Sequence, residues 1–232
     1  MPVRDRINTY EMVNALKTTP LVVLQNHPLM VALAPGDVTE QSQIAFSLTN
    51  GNILIGTVAP NNGTTVVIRA LVTPTRNWNS PHRFTALQRF NPIAEDLWVT
   101  ERQTGCSLII LDWGGQMSMG HLLPHPQANY NRVNRYILDH APLTAYAEIQ
   151  RQSLKPEVTQ LVEASKIGGV NPQRYILVQS NHAAVNQKNL NVIGIRSNGQ
   201  MNFYMQTNTA GGRTVQQLRW TAWRPYLPYF TY

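Results

Sequence analysis

The chain reads as an α+β protein, a mixed β-sheet or β-sandwich core with two or three helices packed outside it. Short apolar, β-branched runs recur between Pro, Gly, Asp and Asn punctuation, which is strand patterning. Asn50-Gly51 and Asn198-Gly199 each separate such runs, where a two-residue hairpin turn needs residues that accept positive φ. Only a few windows carry the three-to-four-residue apolar spacing of a helix.

Taken in order, Tyr10, Val13 and Leu16 share a helical face, so a helix is expected from about Asn8 to Lys17, with Asn8 or Thr9 as its cap. LVVL at 21–24, LMVALA at 29–34, QIAFSL at 43–48 and ILIGTVA at 53–59 read as strands, and TTVVIRALV at 64–72 as the clearest strand of the first half. Residues 73–96, rich in Pro and Asn, read as a long loop carrying a short element, and such loops often serve a function. SLIIL at 107–111 and QMSMGHLL at 116–123 flank one turn. Val133, Tyr136, Ile137, Leu143, Tyr146 and Ile149 predict helix around 131–152, interrupted near Pro142. Pro156 suits the first position of a further helix, carried by Val158, Leu161, Val162 and Ala164 and stopped at Gly168-Gly169. YILVQS at 175–180, LNVIGIR at 190–196, MNFYMQT at 201–207 and VQQLRWTAW at 215–223 return the chain to β. With no internal repeat and no linker, residues 1–232 are read as a single domain.

Composition narrows the functional classes. Hydrophobic residues make up 43% and charged residues 13%, which argues against disorder. The first ten residues hold no apolar signal core, and no stretch approaches the roughly 18 apolar residues of a membrane span. The protein is therefore expected in the cytoplasm, or to leave its cell by a route this segment does not encode. The net charge of +7 comes from basic residues scattered along the chain without a run of four. That pattern favours a solvated surface with mild electrostatic steering over nucleic-acid binding. A lone cysteine excludes an internal disulfide and a Cys-rich zinc site, and Pro124 breaks any helix that would present His121 and His125 together. Neither a metal nor an organic cofactor is expected.

Cys106 and His121 flank the turn Asp112-Trp113-Gly114-Gly115. If Trp113-Gly114 forms a two-residue loop, Asp112 pairs with Gly115 and Cys106 falls opposite His121, with Cβ atoms about 5 Å apart. Leu108, Ile110, Met117 and Met119 then share their face. A thiol becomes a strong nucleophile when a neighbouring imidazole takes its proton. Gly105 leaves room for a substrate carbonyl, with nearby backbone N–H groups as oxyanion donors. The residues leave a plainer reading open, since a lone Cys in a β-run is often a small core hydrophobe and a lone His a structural residue.

The stretch Thr104-Gly105-Cys106, Asp112, Gly115 and Met119-Gly120-His121-Leu122-Leu123-Pro124 resembles the signature of the chemoreceptor glutamine deamidase family. There a Gly/Ser-Cys strand, a turn and a His-x-Leu-Pro-like ending follow one another. The Thr-Gly-Cys form and the interval to the histidine are also similar to the catalytic domains of the cytotoxic necrotizing factor toxins. Those toxins and the related Burkholderia lethal factor share a deamidase fold with the chemoreceptor enzymes. The resemblance is specific over residues 100–124, with Thr104 standing where the necrotizing-factor motif has serine.

For this chain the resemblance implies that fold, Cys106 as nucleophile, His121 as base and acid, and Thr100, six positions before the cysteine, as the group that contacts and orients the imidazole. Thr104 and Gly105 fall at substrate-binding positions. No cofactor is implied. The partner is a target protein carrying the substrate glutamine, of which small GTPases and translation factors are the kinds met in the toxin families. The long stretch before Cys106 points to the toxin or effector branch, made in a bacterial cytoplasm and then secreted or delivered into a host cytosol. Loops 73–96 and 181–189 are candidates for gripping the target. Two other readings stand beside protein glutamine deamidation: a cysteine peptidase or small-molecule amidase with the same pair, and a non-enzymatic basic β-rich binding module.

Overall fold

A computed structural model of the chain describes residues 3–34, 36, 38–57, 65–103, 106–123, 157–179, 189–209 and 212–224. Helices α1 (Val3–Thr18) and α2 (Pro20–Asn26) precede a run of short strands. These are β1 (Leu29–Ala32), β2 (Glu40–Thr49), β3 (Asn52–Gly56), β4 (Val66–Thr73), β5 (Thr75–Arg76), β6 (Leu97–Thr100), β7 (Ser107–Asp112) and β8 (Met117–Leu122). Helix α3 covers 157–164, and β9 (Arg174–Gln179), β10 (Asn189–Ser197), β11 (Gln200–Thr209), β12 (Gly212–Gln217) and β13 (Thr221–Ala222) follow. The molecule is mixed α+β with strands dominant, as the patterning predicts. The helix expected around 131–152 and residues 181–188 of the expected gripping loop lie outside the described residues.

The strands form an eight-stranded sheet, β1-β3-β2-β4-β6-β10-β11-β12, and a five-stranded sheet, β13-β9-β7-β8-β5. Burial on both faces explains why the central strands read as unbroken apolar runs rather than alternating ones. On β4, β6 and β10, the residues Ala70, Val72, Leu97, Val99, Ile193 and Ile195 pack with Val13, Leu16, Val23 and Leu24 of α1 and α2. The opposite face carries Leu71, Trp98, Val192 and Phe203, which meet Leu108, Ile110, Met119, Ile176 and Val178 of the smaller sheet. The far face of that sheet, Ile109, Leu111 and Leu122, takes Val158, Leu161 and Val162 of α3. The layers thus run helices, large sheet, small sheet, helix. Each fully buried Leu, Ile, Val or Phe in them contributes about 1.5–3 kcal/mol.

Both Asn-Gly turns form as expected, with Asn50 and Gly51 at φ +50° and +78°, and Asn198 and Gly199 at +52° and +76°. Other expectations are corrected. LVVL at 21–24 is helix α2, not a strand, because Pro20 sits in its first turn and the packing buries Val23 and Leu24 against the sheet. The first helix begins before Asn8, and Thr9 is buried within it rather than capping it. VQQLRWTAW at 215–223 is not one strand: β12 edges the large sheet, and β13 edges the small one. The loop at 73–96 starts as a crossover. β4 ends at Thr73, Pro74 turns the chain, and Thr75 opens β5 in the other sheet. Two buried arginines then shape this loop: Arg76 Nη1 donates to the carbonyls of His82 (2.7 Å) and Thr85 (2.8 Å), and Arg83 donates to Leu123 O (2.7 Å) and pairs with Glu157.

Candidate active site

The β7–β8 hairpin exists, but its register differs from the expected one. Leu108, not Cys106, pairs with His121, and Asp112 pairs with Met117. The turn is centred on Gly114-Gly115 at φ +87° and +105°, closed by Trp113 N–H donating to Gln116 O at 2.8 Å. A two-residue hairpin loop needs positive φ at both central positions, which two glycines give and Trp113 resists. Asp112 Oδ1 accepts Gly114 N–H at 2.9 Å, and its Oδ2 accepts Arg174 Nε at 2.7 Å, so the motif aspartate holds the turn.

Moving a turn by one residue shifts each partner by two positions, so faces are kept. Cys106 lies one residue ahead of β7 and two before Leu108, so strand alternation continued past the end of β7 would put it on the face that Leu108 and His121 share. There it would be His121's diagonal neighbour, at a Cβ separation typically about 7 Å rather than 5 Å. That face looks into the space between the sheets, and both residues are buried, Cys106 at 2% exposure and His121 at 0%.

Hydroxyls from both sheets gather at the imidazole. Thr100, the last residue of β6, places Oγ1 2.8 Å from His121 Nδ1, the contact the resemblance implied. Thr75 places Oγ1 3.2 Å from the same nitrogen, its strand pairing in parallel with β8 at His121. Behind them Thr73 accepts Trp98 Nε1–H at 2.8 Å and lies 3.0 Å from Thr39 Oγ1. Among the described residues, His121 Nε2 is buried without a hydrogen-bond partner. Burial holds the imidazole pKa down to about 3, so the ring is neutral at ordinary pH. In the tautomer whose Nδ1–H donates to Thr100 Oγ1, Nε2 presents its lone pair as a base.

The structure therefore brings Thr100 and His121 together and buries Cys106 one residue ahead of β7, while Thr104 and Gly105 lie outside the described residues. Gly120, part of the motif, has a packing reason: a Cβ there would lie 2.9 Å from Leu161 Cδ2 and 3.1 Å from Leu87 Cδ2. Two further residues escaped sequence reasoning. Thr75 reaches His121 through a parallel pairing of distant segments, which no local pattern announces. Gln103, three residues before Cys106, is 0% exposed with neither amide atom hydrogen-bonded among the described residues; a polar residue so near the only cysteine was the available signal. Among the described residues no three His, Cys, Asp or Glu side chains gather as metal ligands, and no helix is long and apolar enough to cross a membrane. The cavity lined by Gln216, Gln217, Leu218, Arg219 and Trp220 shares no residue with this site.

Comparison with protein-family models and with curated proteins gives no match to this chain.

Proposed function

We propose that the chain is a cysteine-dependent protein glutamine deamidase of the toxin or effector type, on a deamidase-like sandwich fold. The observation that carries this reading is the Thr100–His121 contact at 2.8 Å, which fixes the imidazole through Nδ1 and, among the described residues, leaves Nε2 without a hydrogen-bond partner. In the reaction, His121 Nε2 takes the thiol proton as the Cys106 sulfur bonds to the side-chain amide carbon of a target glutamine. The carbonyl π pair moves to oxygen, and its return breaks the C–N bond as His121 protonates the departing nitrogen to ammonia. Water then attacks the thioester, His121 accepts its proton, and the C–S bond breaks to leave glutamate and the free thiol. Burial disfavours the imidazolium alone, and the thiolate created in the same transfer supplies the compensating charge. Substrate entry requires the cover over Cys106 to open. The target is a protein, and the positive charge suits an acidic surface on it.

A second reading takes its support from the 2% exposure of Cys106, which is what a core thiol in a non-enzymatic β-rich module shows. Two measurements separate the readings. Wild type and Cys106→Ser are incubated with a eukaryotic cell lysate and glutamine-to-glutamate conversion is followed by mass spectrometry, with conversion expected from wild type alone. Iodoacetamide labelling of Cys106 near neutral pH should slow at least about tenfold in His121→Ala and to a lesser degree in Thr100→Val. Equal lysate profiles and equal labelling would establish the core thiol.

A further inference from the structure

Gln103 stands out among the buried polar groups that the mechanism does not use. It is fully buried, yet among the described residues its side-chain Nε2 and Oε1 both lack a hydrogen-bond partner. An unpaired buried donor or acceptor costs about 1–3 kcal/mol, so a residue carrying two of them calls for an explanation. Its backbone is fixed, N–H donating to Leu190 O at 2.8 Å in an isolated antiparallel bridge. Residues opposed in such a bridge share a face. Leu190 packs with Leu108 and Met119 between the sheets, so Gln103 is turned toward the same inter-sheet space as His121. It lies three positions from Thr100 on one side and three from Cys106 on the other, which keeps its Cα within about 10 Å of each.

Resting on the deamidase reading above, we infer that Gln103 is a catalytic residue that binds the substrate's primary carboxamide and selects it over a peptide bond. Its Nε2–H donates to the substrate carbonyl oxygen and follows that oxygen as it becomes the oxyanion, while its Oε1 accepts the substrate N–H that lies on the same side as the carbonyl. Only a primary amide carries such an N–H; a trans peptide directs its N–H away from its C=O and cannot close both bonds on one carboxamide. The same residue thus favours glutamine side chains and excludes peptidase chemistry at this thiol.

The test compares wild type, Gln103→Leu and Gln103→Met for lysate glutamine conversion, melting temperature and Cys106 labelling by methyl methanethiosulfonate, a small reagent with no amide. Removal of one preorganised oxyanion donor slows turnover by about 100-fold or more. Both variants are therefore expected to convert glutamine at least about 100-fold more slowly, to melt no lower than wild type because an unpaired polar group has been replaced by an apolar one, and to keep the wild-type labelling rate. Conversion at the wild-type rate by a folded variant overturns the role of Gln103 and leaves the deamidase reading intact. A large drop in melting temperature in both variants also overturns it, by showing that the amide is structural. Wild type that converts no glutamine instead removes the deamidase reading itself.

Discussion

At the scale of single residues, His121 ties the fold to the chemistry. A histidine free in solution takes up a proton near pH 6.5, whereas burial delays protonation of His121 to about pH 3. Between those values the unfolded chain binds more protons than the folded one, so stability is complete above pH 6.5 and falls as pH drops, levelling off below 3. The slope is about 1.4 kcal/mol per pH unit. From pH 7 to pH 5, urea unfolding should show wild type losing about 2 kcal/mol more than His121→Asn; a parallel loss in the two would mean that His121 titrates normally. The same residue shows how far residue-level reading reached. Cys106 and His121 could be singled out by residue type and spacing and Thr100 only through the family resemblance, whereas Thr75 and the buried amide of Gln103 become visible only once two sheets close over them.

At the scale of elements, the β7–β8 hairpin shows which local rules govern. Face assignment was legible because strand alternation survives a displaced turn; register was not, because a choice between Trp113-Gly114 and Gly114-Gly115 depends on backbone φ. Helix α2 shows the converse, since a Val-Val pair that favours strand is overruled by Pro20 and by burial of Val23 and Leu24. Gly120 belongs to this level as well. Gly120→Ala would set a Cβ 2.9 Å from Leu161 and 3.1 Å from Leu87, separating α3 from β8 at a cost of about 1–3 kcal/mol. Thermal melts should show the loss, with Cys106 labelling still slowed by His121→Ala in that background; an unchanged melting temperature would show that α3 gives way freely.

At the scale of the whole molecule, Cys106 and His121 are both buried, and Leu108, paired with His121, belongs to the core between the two sheets. Access therefore depends on how the cover opens. Proteins open locally at free energies well below that of global unfolding, and a deamidase needs an opening of that local kind. The rate of native-state Cys106 labelling should thus stay nearly flat as urea rises through the range below the unfolding transition. A rate that climbs with the full urea dependence of global unfolding would mean that the thiol is reached only in the unfolded chain.

The sequence by itself determined the α+β class, the turns at Asn50-Gly51 and Asn198-Gly199, most strand positions and the existence of the hairpin between Cys106 and His121, because alternation and turn chemistry are local. Only the tertiary structure decided which sheet each strand joined, the register of the hairpin, and the meeting of Thr100 and Thr75 at one imidazole nitrogen. Those depend on pairings between segments far apart in the chain, chosen by the burial of two sheet faces against each other rather than by any neighbouring residue.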